Sequence, residues 1–153
     1  KGPPFCYNVS VKVQIKDIYK PDVSTKRVLP YFEAKVPAGF PSPAADYEEN
    51  HLDLNKHLIR NPAATFFVLF CGDSMTGAGI NDGDLLIVDR SLEPKDRNVV
   101  IAVVDGELTV KRIRIRKKKV TLEPENSNYK AREVGEESDF QVWGVVTNAI
   151  HSL

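Results

Sequence analysis

The 153-residue sequence is poor in the side chains that hold metals and staple small folds: it has two cysteines, Cys6 and Cys71, and three histidines. The cysteines stand far apart and fit no metal-ligand spacing. Both read as reduced thiols of a cytoplasmic protein, with a single disulfide as the alternative. No apolar run approaches the roughly 20 residues that span a bilayer. No charged-then-apolar leader opens the chain; its first residue, Lys1, fits a fragment boundary. Internal repeats and low-complexity tracts are also missing. What remains is an ordinary globular composition, long enough for one domain with an appendage and a real hydrophobic core.

Net charge is absent as well, with 21 Lys and Arg against 21 Asp and Glu. The balance is uneven along the chain. Residues 1–38 carry seven basic and three acidic groups, so the first segment is basic and the rest acidic. A basic arm on an acidic body can dock by attraction that salt weakens.

Residues 1–45 differ from the rest of the chain. VSVKVQIKDI alternates like a strand, with Val9, Val11, Val13 and Ile15 on one face. PDVSTKRVLPYFEAKVPAGFPSPAADY then has five prolines, and proline removes a donor and pushes its predecessor towards extended geometry. This predicts an extended N-terminal arm over 1–45 and a compact domain over 46–153. The arm is too short and extended for a helix-turn-helix. The body reads as strands. A short helix is expected at Leu54–Arg60, capped by Asp53 and stopped by Asn61-Pro62. ATFFVLF and DLLIVDR are strands, the second entered through Asn81-Asp82-Gly83. NVVIAVVDGELTVKRIRIR is a hairpin about Asp105-Gly106. Further strands are expected near 119–123 and over QVWGVVTNAIHSL. The fold class is mostly β: a curled antiparallel domain with one short helix.

Ser74 lies in FCGDSM, where a strand runs out into a glycine-rich loop. Such a serine is ordinarily a turn residue, and it needs a base to be a nucleophile. His51, His57 and His151 come with no acid partner in the sequence, so a Ser-His-Asp arrangement is weak. Lys111 offers another base. Strand alternation puts Thr109, Lys111, Ile113 and Ile115 on one face and Arg112, Arg114 and Arg116 on the other. An ammonium placed with apolar residues is disfavoured. Desolvation lowers its pKa from about 10.4 towards the range of a usable base. The bland alternative is a lysine snorkelling at a strand edge.

GFPSPAADY at 39–47, the DLN helix start at 53–55, GDSM at 72–75, GDLLIVD at 83–89, AVVDGELTVK at 102–111 and GVV at 144–146 together resemble the LexA/UmuD family of self-cleaving Ser-Lys proteins. The resemblance runs in order over roughly 38–150 and is nearer to the UmuD branch. It implies a LexA/UmuD-like curled β fold and a self-cleaving serine endopeptidase. Ser74 would be its nucleophile and Lys111 its general base. Backbone N–H groups of Asp73 and Ser74 would form the oxyanion site, and Ala38-Gly39 would be the scissile bond. It implies no cofactor and no metal. It implies a homodimer in the bacterial cytoplasm, with no membrane, made in the SOS response to DNA damage. A RecA–single-stranded-DNA filament would stimulate cleavage. The trimmed form would join a UmuC-type polymerase for error-prone translesion synthesis. The arm preceding the cut does not match that branch.

KRIRIRKKK, at 111–119, holds seven basic residues in nine. Nucleic acid is one reading. With no aromatic platform and an acidic body, a solvated hairpin tip is preferred and direct DNA binding is not expected. The other functional classes are a LexA-type repressor fragment, which requires a DNA-binding domain upstream; a signal peptidase, which requires a membrane anchor; and an inert scaffold.

Overall fold

The computed structural model describes residues 18–25, 29–32, 49–117, 119–135 and 137–153. The strand expected over 9–15 lies outside them, as do Cys6 and the Ala38-Gly39 bond. The chain divides into two compact units. One runs from Asp22 to Arg60; the other holds 61–153 together with the described residues up to Pro21.

In the smaller unit, β2 (Leu29–Phe32) pairs antiparallel with β3 (Glu49–Leu52), Leu29 opposite Leu52. Helix α1 (Leu54–Leu58) follows at once. Asp53 caps it: its Oδ1 accepts from the N–H groups of Asn55 at 3.0 Å and Lys56 at 3.4 Å, satisfying donors the first turn cannot. The helix ends two residues before the expected Arg60. Ile59 is already extended and its N–H donates to the Asn55 carbonyl, and Pro62 beyond it disfavours helical geometry at Asn61.

The larger unit is an eight-stranded antiparallel sheet in the order β1-β4-β5-β10-β6-β7-β8-β9. Its strands are β1 (Ile18–Tyr19), β4 (Thr65–Leu69), β5 (Leu85–Asp89), β6 (Val99–Val104), β7 (Glu107–Arg116), β8 (Lys119–Glu123), β9 (Arg132–Val134) and β10 (Phe140–Ile150). The mostly β, antiparallel fold with a single short α-helix among the described residues is the one the sequence predicts. β6 and β7 form the expected hairpin. Asp105 and Gly106 both have positive φ, 51° and 80°, the geometry of the tight turn whose twist suits a hairpin. β10 is the spine: its first half pairs with β6 and its second with β5. Register shifts between Val142 and Gly144 and between Val146 and Asn148 mark irregularities in this strand; bulges of this kind raise local twist and help a sheet curl.

Alternation along the central strands sends apolar side chains to two clusters. Val99 and Ile101 of β6 pack with Val68, Phe70, Met75, Ile80, Leu86, Val88 and Val110. Val100, Ala102 and Val104 pack with Ile113, Leu122 and Val145. Successive residues of one strand thus stabilise both faces of the sheet. The first cluster includes Met75, the residue next to Ser74.

Candidate active site

The loop between β4 and β5 is closed at its neck by backbone bonds. Phe70 N–H donates to the Asp84 carbonyl at 2.8 Å, and Gly83 N–H donates to the Phe70 carbonyl at 2.9 Å. Within it, Gly72 N–H donates to Asp82 Oδ1 at 2.7 Å. The Gly72 φ of 117° belongs to backbone that residues with a Cβ rarely adopt. A 3-10 turn at Thr76–Ala78 comes next, with Ala78 N–H donating to the Met75 carbonyl at 2.9 Å. Phe70 and Met75 are both fully buried. Ser74 is therefore held between two apolar anchors, and is itself only 1% exposed.

β7 brings Lys111 to it. Lys111 Nζ lies 3.0 Å from Ser74 Oγ and donates to the Val110 carbonyl at 2.9 Å. Burial pushes the Lys111 pKa down from its ordinary value. No ion pair engages it among the described residues. Desolvation penalises the ammonium and so favours the neutral amine. The expected apolar face is only partly realised: Ile113 is buried while Ile115 is 37% exposed.

The structure thus brings together Ser74 and Lys111, 37 positions apart in sequence, and places Asp73 beside them. Among the described residues, the N–H groups of Asp73 and Ser74 meet no acceptor. No described histidine bonds Ser74. His151 Nδ1 sits 2.7 Å from Oδ1 of the buried Asp84, whose Oδ2 accepts from Asn81 N–H at 2.8 Å. Among the described residues no three His, Cys, Asp or Glu groups converge as a metal site, and no helix is long and apolar enough to cross a membrane.

Cys71 is disulfide-bonded, the alternative that the sequence left beside a reduced thiol. Disulfides require close approach of two Cα atoms, which spacing in sequence does not reveal. Asp73 was expected to act only through its backbone, yet its carboxylate accepts from the Tyr129 hydroxyl and, at 3.4 Å, from Asn126 Nδ2. The only sequence signal for that contact is ENSNY, which reads as an ordinary polar turn.

Among the described residues, three of the seven basic residues in the 111–119 stretch are met by acids. Arg112 pairs with Glu125. Arg114 lies 3.6 Å from Glu123 and 3.8 Å from Asp96, and Lys119 is 3.0 Å from Glu133. Arg116 and Lys117 are exposed at the hairpin tip, where Lys117 has a φ of 46°.

Residues 30–147 match the family described as peptidase S24-like. Over 122 residues the chain is 50% identical to protein SamA of Salmonella typhimurium, covering 80% of this chain and 84% of SamA. Over 124 residues it is 48% identical to protein ImpA of Escherichia coli, covering 81% and 84%. It is 39% identical to LexA repressor 1 of Geobacter sulfurreducens over 93 residues, 61% of this chain and 45% of the repressor. Family match, relatives and sheet agree: the chain belongs to the LexA/UmuD family of S24-like peptidases, and within it to the UmuD type.

Proposed function

We propose that this chain is a self-cleaving Ser-Lys endopeptidase cut between Ala38 and Gly39. The observation that carries the reading is the 3.0 Å approach of Lys111 Nζ to the buried Ser74 Oγ. That is hydrogen-bond reach for a nucleophile and its base. Neutral Lys111 takes the Ser74 hydroxyl proton as Oγ bonds to the Ala38 carbonyl carbon. The N–H groups of Asp73 and Ser74 receive the oxyanion, which such donors stabilise strongly in a water-poor site. The tetrahedral species collapses, the bond to Gly39 breaks, and the Lys111 ammonium returns its proton to the leaving amine. Water then attacks the acyl-serine with Lys111 again as base, and the serine is released. Ala and Gly at the cut suit a cleft that must bring backbone close to a buried serine.

The arm, residues 1–45, is the substrate, and the domain over 46–153 is the peptidase. Tethering gives a high effective concentration when the arm adopts the attack geometry. A rare attack geometry would make cleavage slow and open to an activator that stabilises it. In the SOS reading that activator is the RecA–single-stranded-DNA filament. The product is a homodimeric subunit of an error-prone translesion polymerase, working with a UmuC-type polymerase in the bacterial cytoplasm. Similarity to SamA and ImpA over 84% of their lengths supports this reading over a LexA-type repressor, of whose similar relative the chain covers 45%.

The test is incubation of purified protein from neutral pH to about pH 10, where even an ordinary lysine loses much of its charge, with products weighed by mass spectrometry. A 39–153 fragment that is missing in Ser74→Ala is the expected result. A Ser74→Ala protein that still cuts at 38/39 sinks the scheme.

A further inference from the structure

The turn after β8 touches the Ser74 loop on one side and Arg112, the neighbour of Lys111, on the other. On the nucleophile side, Glu125 N–H donates to the Ser74 carbonyl at 2.9 Å, and Gly77 N–H donates back to the Glu125 carbonyl at 2.7 Å. This two-way bridge requires Gly77, because a Cβ there would collide with the Glu125 carbonyl oxygen. Asn126 Nδ2 donates to the Asp73 carbonyl at 3.0 Å. The Tyr129 hydroxyl donates to Asp73 Oδ1, and that bond to a carboxylate raises the tyrosine's pKa above its ordinary value. On the base side, the Glu125 carboxylate accepts from Arg112 Nε, one residue from Lys111. Arg112 is fixed in turn by donating from Nη1 to the Arg97 carbonyl at 2.7 Å. The turn is also braced internally, with Asn128 N–H on Asn126 Oδ1 at 3.0 Å and Tyr129 N–H on the Asn126 carbonyl at 3.1 Å.

We propose that Glu125, Asn126 and Tyr129 are positioning residues: they form a clasp that ties the Ser74 loop to the Lys111 strand and sets the distance between the two reacting groups. None of the three side chains has a place in the bond-making steps described for Ser74 and Lys111. Their effect reaches the chemistry through Asp73, the Ser74 carbonyl and Arg112. The same bonds orient the peptide units on either side of Ser74, and with them the N–H groups offered to the oxyanion. A misplacement of about 1 Å in such a geometry is enough to lower a rate by about a hundredfold. Burial, not the clasp, lowers the Lys111 pKa. Loosening the clasp therefore lowers the rate at every pH and leaves the midpoint of its pH profile in place.

This inference rests on the Ser-Lys reading, so two readouts separate them. The first is self-cleavage of the full chain across pH 7–10 in wild type, Asn126→Asp, Tyr129→Phe and the double variant. Asn126→Asp keeps the shape and loses the donor, and Tyr129→Phe keeps the ring and loses the hydroxyl. Each is expected to slow cleavage by about tenfold or more, with the profile's midpoint unmoved. The proteins are compared well below their unfolding temperatures. The second is amide hydrogen exchange over Asp73–Ile80, which needs no cleavage. The clasp predicts faster exchange at Gly77 and its neighbours in the variants. Variants that cleave and exchange like wild type overturn the clasp. Wild type that never cleaves, with or without a RecA–single-stranded-DNA filament, while the variants exchange faster removes the peptidase reading and leaves the clasp as a loop anchor. Unchanged exchange in a silent protein overturns both.

Discussion

Ser74 and Lys111 meet, but their surroundings are made differently. Lys111 stands on a regular ladder: β7 pairs with β6 on one side, Val100 opposite Lys111, and from Arg112 onward with β8 on the other. The ladder sets where its side chain leaves the backbone. Ser74 stands on a loop with no ladder. Its position comes from contacts that converge on it from elsewhere: the buried Phe70 and Met75, the neck bonds to Asp84, and the Glu125 bridge. On the proposed roles, the base stands on a strand that spreads changes over many bonds, and the nucleophile stands on a loop that depends on a few contacts, each of which can be removed by one substitution.

The sharpest test of that contrast is at the two groups themselves. Ser74→Ala and Lys111→Ala should each reduce the proposed cleavage at Ala38–Gly39 by about a thousandfold or more, because a nucleophile and its base act as a unit. Intact mass after long incubation at high pH measures it. A Lys111→Ala protein that cleaves at an appreciable fraction of the wild-type rate would mean that another base reaches Ser74.

The same contrast explains what could be read in advance. The strand that carries Lys111 was legible because alternation and the Asp105-Gly106 turn are local signals, and the hairpin formed where they placed it. Asp53 announced α1 for the same reason. β9 was missed because Arg132–Val134 is three residues long, two of them charged, and owes its strand geometry to pairing with Leu122–Val120. The Ser74 loop was legible as a motif but not as a structure. FCGDSM marks the serine, whereas the residues that hold it, Glu125, Asn126 and Tyr129, lie some fifty positions away in a stretch that looks like any polar turn. Tertiary contacts of that kind leave no periodicity. The basic run at 111–119 shows the same limit: its charge is plain in sequence, but the acids that meet Arg112, Arg114 and Lys119 come from 96, 123, 125 and 133.

Under the loop, Met75→Ala should cost about 2–5 kcal/mol of stability, the range for deleting a large buried side chain and leaving a cavity. Chemical denaturation measures it. Cleavage in the remaining folded protein should also slow, since the residue beside Ser74 loses its seat. A stability loss without any effect on cleavage would show that the loop does not depend on its anchor.

Asp84→Ala should cost about 1–3 kcal/mol, because it leaves the Asn81 N–H without its acceptor and takes the His151 ring's partner away. On the opposite side of the comparison, Ile113→Val in the second cluster should cost about 0.5–1.5 kcal/mol and leave the cleavage rate of folded protein as it was. An Ile113→Val protein that cleaves markedly more slowly would mean that the strand does not absorb such a change in its ladder.

The smallest expected signal is a slope. Burial lowers the Lys111 pKa in the folded chain, so between that lowered value and the ordinary one near 10.4 the folded state binds fewer protons than the unfolded state. Stability contributed by this residue must then rise with pH across the window, because stability rises wherever the unfolded chain binds more protons. Below the window the buried ammonium works against folding, and above it the penalty is gone. Lys111→Met keeps the length of the side chain and cannot titrate. It should exceed wild type in stability at neutral pH, and the gap should narrow steadily towards pH 10. Tyr129 and the other groups that titrate there are common to both proteins and drop out of the difference. A gap that stays constant with pH would show that Lys111 keeps its ordinary pKa in the folded protein. The base on the strand would then start out charged and would have to lose its proton before it could act on the serine.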